Sequence, residues 1–293
     1  MIGRRFALAA SVFLCFFCTS TMASEIQSDI GTYKKTRTRL NSVITDMDLK
    51  ATSWIFRSRF NGMHDRKHYN GKRDTILFVP HTSIPDDITL VVWFHGLGGF
   101  SKKTFRRVLT QVKEISRDGH SIAISIPEMP WSTNTSTKGS RQGKVWKYPG
   151  DFRGFIDENK SKLASWALLE HGTDIKNIRI VVVGHSAGGS AINAASEEGS
   201  LCAVNPEVVI WSDASYGHWL QRAWSGCIAN SGIEMHLLVR KWDRPYQNAS
   251  EFMEEHAPDP KRVKYQILNR KQWHHGDIGN RALILTDVFP PGC

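Results

Sequence analysis

One stretch of the chain constrains its fold more than any other. An apolar run over residues 178–183, in which five of the six residues are Ile or Val, leads directly into Gly184-His185-Ser186-Ala187-Gly188. The run predicts a buried strand, and the small residues after the turn suit a helix. A G-x-S-x-G turn between a strand and a helix is a much more specific signal than the five residues alone. The fold must therefore contain a strand–turn–helix unit with Ser186 at its corner.

That context makes Ser186 a candidate nucleophile. Glycines two positions before and two after the serine relieve the crowding between strand and helix. The first N–H groups of the following helix point toward the reacting carbon, so the amide of Ala187 is a candidate oxyanion donor. His185, inside the motif, is a candidate substrate-binding residue. The structural alternative is a glycine-rich turn with an idle serine, and the strand and helix signals on its two sides favour catalysis.

The N-terminus has the pattern of a secretory signal peptide. Arg4 and Arg5 precede an apolar run over residues 6–18, and small residues end at Ala23. The pattern predicts cleavage after Ala23 and export to the periplasm or beyond, with a retained anchor as the alternative. The full chain has a formal net charge of +10, and loss of the two arginines with residues 1–23 leaves +8.

The predicted mature chain contains three cysteines. In an oxidising compartment Cys202 and Cys227 are expected to form a disulfide. Closing the loop between them would lower the entropy of the unfolded chain and so stabilise the fold by about 3 kcal/mol. Cys293 is then expected to stay free or to pair outside the chain.

Strand and helix signals alternate along the chain. Strands are predicted near residues 74–79, 89–94, 121–126, 178–183, 207–211, 234–239 and 263–268, and helices near 102–116, 155–171, 188–197, 250–256 and 277–288. Alternation with apolar strands predicts an α/β fold whose mostly parallel, doubly wound central sheet has helices on both faces. We predict a signal peptide over 1–23, an N-terminal extension over 24–72 and one catalytic domain over 73–293.

In such sheets, ligands bind at the carboxyl ends of the strands. One predicted strand is followed there by His95-Gly96-Leu97-Gly98-Gly99. These glycines let the backbone turn sharply, which makes the amide of Leu97 a candidate second oxyanion donor and His95 a candidate substrate-binding residue. A turn that only joins strand to helix is the alternative.

A general base is expected after the last strand, where His274 and His275 lie side by side. We prefer His275 as the base, because Gly276 behind it frees the backbone. His274, next to Trp273, is then expected to line the substrate pocket. A purely structural role for both histidines is the alternative.

Two aspartates are candidates for the acid that orients this histidine. Asp243 follows one predicted strand and Asp213 follows the strand before it. We favour Asp243, for which a surface ion pair with Arg240 or Arg244 is the structural alternative. For Asp213 the alternative is a helix cap or a local turn. Tyr216, close after Asp213, is a candidate substrate-binding residue.

These motifs, in this order, resemble the α/β-hydrolase superfamily over roughly residues 73–293. The match consists of His95-Gly96-Leu97-Gly98, Gly184-His185-Ser186-Ala187-Gly188, an aspartate after a later strand and a histidine after the last strand. The lead-in over residues 76–96 is similar to secreted esterases and polyester depolymerases. In that superfamily the acid usually follows the seventh strand, which corresponds to Asp243, and in some members the sixth, which corresponds to Asp213.

The resemblance implies a serine hydrolase that cleaves an ester, or an amide, through an acyl-enzyme. No cofactor is needed for this mechanism. No metal is expected, because His64 and His68 lack the glutamate of an H-E-x-x-H site. The rival interpretations are a peptidase or amidase that acts on cell-envelope material and a non-catalytic binding protein on a hydrolase fold. No nucleic-acid partner is expected, because the sequence contains no helix-turn-helix, RNP or zinc pattern.

A long segment over residues 128–153 is expected to form a lid or pocket wall. It mixes aromatic residues, among them the candidate substrate-binding residue Trp131, with Lys and Arg at positions 138, 141, 144, 147 and 153. An anionic substrate, small or polymeric, or a negatively charged envelope surface would suit these bases. The alternative is an ordinary solvated loop.

Overall fold

The computed structural model describes residues 34–60, 74–97, 101–129, 146 and 148–290. The strands are β1 (Ala51–Arg57), β2 (Asp74–Pro80), β3 (Asp87–Phe94), β4 (Ile122–Pro127), β5 (Asn177–His185), β6 (Val208–Ser212), β7 (Glu234–Arg240) and β8 (Val263–Leu268). The α-helices are α1 (Lys34–Asp46), α2 (Lys102–Arg117), α3 (Asp151–His171), α4 (Gly189–Glu197), α5 (Ser200–Val204), α6 (Trp219–Gly226), α7 (Arg244–His256) and α8 (His275–Arg281). Within these described ranges, no helix combines the length and the apolar run that a membrane crossing needs.

All eight strands join one sheet in the order β1-β2-β4-β3-β5-β6-β7-β8. β2 pairs antiparallel with both of its neighbours, β1 and β4. Every other pairing, from β4 through β3 to β8, is parallel. The predicted mostly parallel sheet is therefore confirmed, and the carboxyl ends of β3 to β8 meet at one edge.

Alternate residues of each strand pack under different helices. Along β2, Ile76 and Phe78 belong to a cluster with apolar residues of α1, α2 and α8. Leu77 and Val79 point to the opposite face and join a cluster with residues of α3, α4, α6 and α7. Successive side chains of a strand point to opposite faces, so both faces of this sheet are buried and both are covered by helices. This confirms the doubly wound architecture.

The predicted strands match the observed ones within a few residues, and the helices differ more. α7 begins at Arg244 rather than near 250, with Pro245 in its first turn, where a proline costs no hydrogen bond. α8 covers residues 275–281 instead of the predicted 277–288. The range predicted as an N-terminal extension contributes α1 and β1, and β1 pairs with β2 along its full length.

The predicted disulfide is present: Cys202 and Cys227 are joined, with their Cα atoms 6.0 Å apart. Cys202 lies in α5, and Cys227 directly follows α6. The bond thus ties together two helices on the face of the sheet that α3 and α7 also cover. Cys293 lies outside the described residues.

Candidate active site

The register of the sheet brings three chain segments to one level. β5 pairs with β6 so that His185 lies opposite Ser212. The next residue along each strand, Ser186 and Asp213, therefore leaves the sheet at the same height. On the other side of β5, a Cβ built at Gly96 would lie 2.9 Å from the Cβ of Ser186. The loop after β3 thus touches the candidate nucleophile, and a side chain at position 96 would collide with it.

Ser186 occupies a strained turn. Its φ is +55°, in the left-handed region that residues other than glycine rarely adopt. Strain of this kind persists where the surrounding structure enforces it, and it is concentrated at functional sites. The enforcement is visible at Gly188, where a Cβ would lie 2.2 Å from the carbonyl oxygen of Phe94. Ser186 to Gly188 form a 3₁₀ turn that leads into α4, so the Ala187 amide lies in the first turn, where N–H groups have no helical acceptor.

His275 is held by Asp213. Its Nδ1–H donates to Oδ2 of Asp213 at 2.6 Å, and the aspartate is 1% exposed whereas the histidine is 36% exposed. The other carboxylate oxygen, Oδ1, accepts from the backbone N–H of Arg240 at 3.4 Å. Asp213 itself has a left-handed backbone, with φ of +48°. Because Nδ1 carries the proton, Nε2 is the nitrogen left to accept one.

The sequence-based preference for Asp243 as the acid does not agree with this geometry. The Asp243 carboxylate forms an ion pair with Arg240, and Nε of Arg270 lies 3.9 Å from its Oδ1. Ser212, the last residue of β6, is paired with Leu238 of β7. Asp243 is therefore five residues past the level at which β6 ends, whereas Asp213 is one residue past it. The ion pair that the sequence offered as the alternative for Asp243 is the observed arrangement.

Ser186 and His275 open into one cavity of about 400 Å³. Its lining residues are Trp93, His95, Gly96, Leu97, Thr104, Arg107, Val108, His185, Ser186, Tyr216, His275 and Gly279. Tyr216 lines this cavity together with Ser186, and burial, followed by the charge of Asp213, raises the pKa of Tyr216. The structure thus brings most of the predicted site residues to the wall of a single cavity.

His185 supports the base. Its ring stacks on that of His275, with the centroids 4.9 Å apart, and its Nε2–H donates to the backbone carbonyl of His275 at 3.2 Å. Burial first, and then the charges of His275 and Arg107, lower the pKa of His185 to about 3. A neutral ring can lie against His275 without repelling the positive charge that a general base acquires.

His95 supports the loop after β3 in a similar way. Its Nδ1–H donates to the carbonyl of Gly96 at 2.7 Å, and its Nε2 accepts from the N–H of Met129 at 3.0 Å. Burial lowers the pKa of His95 to about 4. Both ring nitrogens contact backbone groups, so the side chain fixes the loop that carries Gly96 and Leu97 against the segment after β4.

The remaining predicted residues lie in different places. Leu97 is 67% exposed at the cavity mouth, and Ala187 is buried behind Ser186. His274 precedes α8: its backbone carbonyl accepts from the N–H of Asp277, and the Asp277 carboxylate accepts from the N–H of His274. Trp131 lies outside the described residues.

Most of the predicted lid also lies outside the described residues, including positions 138, 141, 144 and 147. At its described end, Trp146 is fully buried between Phe94, Phe152 and Phe155, so it belongs to the core. Arg153 is exposed and lies 4.0 Å from Asp157.

Arg107 is a cavity residue that the sequence analysis did not identify. It lies on α2 and belongs to the second of two basic pairs, Lys102-Lys103 and Arg106-Arg107, which are one helical turn apart. That spacing places both pairs on one side of a helix, and it is the sequence signal from which a basic surface there could have been predicted. Within the described part of the chain, no three His, Cys, Asp or Glu side chains are arranged to hold a metal ion.

Solved structures of other proteins resemble this chain and identify its fold. The chain is similar to an IroE-like serine hydrolase from Shewanella oneidensis, with 14% identity, a TM-score of 0.50 and coverage of 80% of this chain and 78% of that one. It is also similar to a putative thioesterase from a Silicibacter species, with 15% identity, a TM-score of 0.50 and coverage of 89% and 95%. No protein-family model matches the sequence, and no curated protein matches it significantly. The structural likeness shows the α/β-hydrolase fold.

Proposed function

We propose that this chain, which has the α/β-hydrolase fold, is an exported serine hydrolase that cleaves carboxylic esters of small molecules. One observation carries the proposal: Ser186, on its strained turn, shares a cavity with a histidine whose Nδ1–H is bound by a buried aspartate. A protein that had kept only the fold would have no need to hold these three side chains in this arrangement. The two solved structures described above, a serine hydrolase and a thioesterase by name, support acyl transfer.

The proposed reaction begins with attack by Oγ of Ser186 on the ester carbonyl, while Nε2 of His275 takes the hydroxyl proton. Asp213 holds the tautomer and stabilises the positive imidazole that results. The tetrahedral intermediate then collapses, the alcohol leaves with the proton from Nε2, and an acyl-enzyme remains. Water attacks this acyl-enzyme and gives a proton to His275. When the acyl–Oγ bond breaks and the acid is released, His275 returns that proton to Oγ of Ser186.

The amides of Ala187 and Leu97 are proposed to hold the oxyanion. Ala187 directly follows the nucleophile in the first turn of the helix, and Leu97 directly follows Gly96, which touches Ser186. Two backbone donors fixed before the reaction need no reorganisation, and removal of one such donor typically lowers the rate about 100- to 1000-fold.

Tyr216 lines the same cavity as Ser186 and His275. We propose that its side chain lies beside the bound ester.

A fluorophosphonate probe tests the function before any natural substrate is known. It is expected to label the wild-type protein at one peptide, containing Ser186, and to leave Ser186→Ala unlabelled. The same variant is expected to lose about 10⁶-fold in the rate of p-nitrophenyl ester hydrolysis, with an unchanged circular dichroism spectrum. Labelling at another residue, or substantial activity in Ser186→Ala, would contradict the proposal. The matching p-nitroanilides distinguish an amidase from an esterase.

Export is proposed on the sequence of residues 1–23, and the Cys202–Cys227 bond is consistent with an oxidising compartment. N-terminal sequencing of protein recovered from the periplasm or medium is expected to begin at Ser24. A chain that keeps Met1 would argue for the retained anchor.

A further inference from the structure

A second cavity adjoins the catalytic one, and Arg107 lines both. The second cavity has a volume of about 520 Å³ and lies between α2 and α8. Its charged lining residues are Lys102, Lys103, Arg106, Arg107, Arg281 and Glu114. Five of these carry positive charge and one carries negative charge.

Some of that charge is already engaged. Arg106 pairs with Asp46 at 2.6 Å, and Nζ of Lys102 donates to Oγ of Ser42 at 2.7 Å. Arg107 differs from both. Within the described ranges no carboxylate pairs with its guanidinium, although α2 holds this side chain half-buried between the two cavities.

The position of the guanidinium relates it to the proposed chemistry. A Cβ built at Gly276 would lie 2.4 Å from Nη2 of Arg107 and 3.0 Å from its Cζ. Gly276 directly follows His275, so the charged group packs on the backbone next to the general base. A larger residue at position 276 would displace the flexible end of Arg107 from this place.

A half-buried arginine that has no acidic partner among the described residues and packs beside a reacting centre is suited to bind an anion. Its planar fork matches the two oxygens of a carboxylate, and it keeps its charge at any working pH. A substrate carboxylate would supply the partner that the described residues do not.

We propose that Arg107 is the specificity-determining residue of this enzyme and that it binds a carboxylate on the ester substrate, whose preferred class is therefore acidic esters. This inference rests on the proposed function of the adjoining site. Lys103 and Arg281, in the same cavity, add long-range attraction for the negative charge.

The test compares two matched pairs of esters. Mono-p-nitrophenyl adipate against p-nitrophenyl hexanoate places the carboxylate on the acyl part, and m-carboxyphenyl acetate against phenyl acetate places it on the leaving group. In at least one pair, the wild-type protein is expected to have the higher kcat/KM for the acidic ester. Arg107→Gln is expected to lower the acidic-to-neutral ratio of kcat/KM by about ten- to a hundred-fold, mainly through KM.

Arg117→Gln is the matched control, because Arg117 is an exposed arginine on the same helix that lines neither cavity. It is expected to leave the ratio unchanged. If Arg107→Gln does not fold, Arg107→Lys keeps the charge without the fork and is expected to lower the ratio several-fold. A ratio that stays the same in the Arg107 variants for both pairs overturns the proposal.

Calorimetry separates this inference from the proposed function. If the wild-type protein hydrolyses none of the four esters, the esterase proposal fails for these compounds, but adipate binding can still be measured. Binding of adipate that is lost in Arg107→Gln and kept in Arg117→Gln supports the anion site on its own. No binding of adipate to the wild-type protein contradicts it.

Discussion

Asp213 and Asp243 follow neighbouring strands, yet one carboxylate binds a histidine of the cavity and the other binds the arginine that ends the strand before it. Asp213 is almost fully buried, binds His275 and is fixed by a backbone N–H. Asp243 lies farther along its loop and is neutralised by Arg240. The same residue type at the end of a parallel strand therefore orients a histidine in one case and stabilises a loop in the other. The difference comes from strand register, which sets how far each carboxylate stands from the nucleophile.

The largest expected effect tests this comparison directly. Asp213→Asn should lower kcat/KM for a p-nitrophenyl ester by about 10⁴-fold, because an amide favours the wrong tautomer of the histidine. Asp243→Asn should cost less than ten-fold, because it removes an ion pair away from the cavity. Steady-state kinetics on both variants, with thermal unfolding as the check on folding, decides between them. Equal losses would break the comparison.

The histidines extend the comparison, because His275 faces a carboxylate whereas His95 and His185 face backbone groups. Burial lowers the pKa values of His95 and His185 from 6.5 to about 4 and about 3. Below pH 6.5 the unfolded chain therefore binds more protons than the folded chain. The free energy of unfolding decreases as the pH falls from 6.5 through the pKa values of the folded state. At pH 5 the loss should be about 2 kcal/mol for each histidine.

Urea unfolding at pH 7.5 and pH 5, compared between the wild type and the variants His95→Gln and His185→Gln, measures this loss. NMR titration of the two imidazoles, assigned through His95→Gln and His185→Gln, identifies its source. Titration of either ring near pH 6.5 in the folded protein would show that burial does not keep it neutral.

A third carboxylate, that of Glu198, differs from those of Asp213 and Asp243, and its replacement should have the smallest effect of the three. Glu198, directly after α4, lies near the acids Asp151 and Glu197, and its Oε2 is buried and accepts no hydrogen bond from the described residues. Burial, then the charges of Asp151 and Glu197, raise its pKa to about 8. The folded state thus holds a proton that the unfolded state has lost, and stability falls as the pH rises from about 4.5 to 8.

Glu198→Gln should therefore raise the melting temperature at pH 8.5 and have little effect at pH 4.5. The gain should be at most a few degrees, because the side chain is partly exposed. Glu170→Gln, on the exposed end of α3, is the control and should show no such pH dependence. A constant difference between wild type and Glu198→Gln at all pH values would contradict the assignment of the shift.

Much of the fold could be predicted because its signals are local. The run before Ser186, the glycines of its turn and the small residues after it specify a strand, a turn and a helix from adjacent positions. The alternation of apolar strands and helices specified the parallel sheet in the same way. β1 was not predicted, because four of its seven residues are only half-buried at the edge of the sheet and the stretch has no clean alternation.

The candidate site was less accessible to sequence reasoning. Chain order placed an aspartate after each of two strands but contained no information on their register. His95 and His185 have the residue type of ligands or bases, yet the structure uses their nitrogens to hold backbone groups. Arg107 has the pattern of a solvated helix face, and only the packing of α2 against α8 places it beside His275.

The sequence by itself determined the strand–turn–helix unit at Ser186 and the two-sided sheet. Both depend on neighbouring residues, whereas the pairing of Cys202 with Cys227 was one of several that three cysteines allow. The tertiary structure decided which aspartate meets His275 and which cation faces the cavity. Those contacts join residues that are 62 or more positions apart in the sequence. They depend on strand register, on left-handed turns at Ser186 and Asp213 and on the space at Gly276. No local sequence pattern specifies these three features.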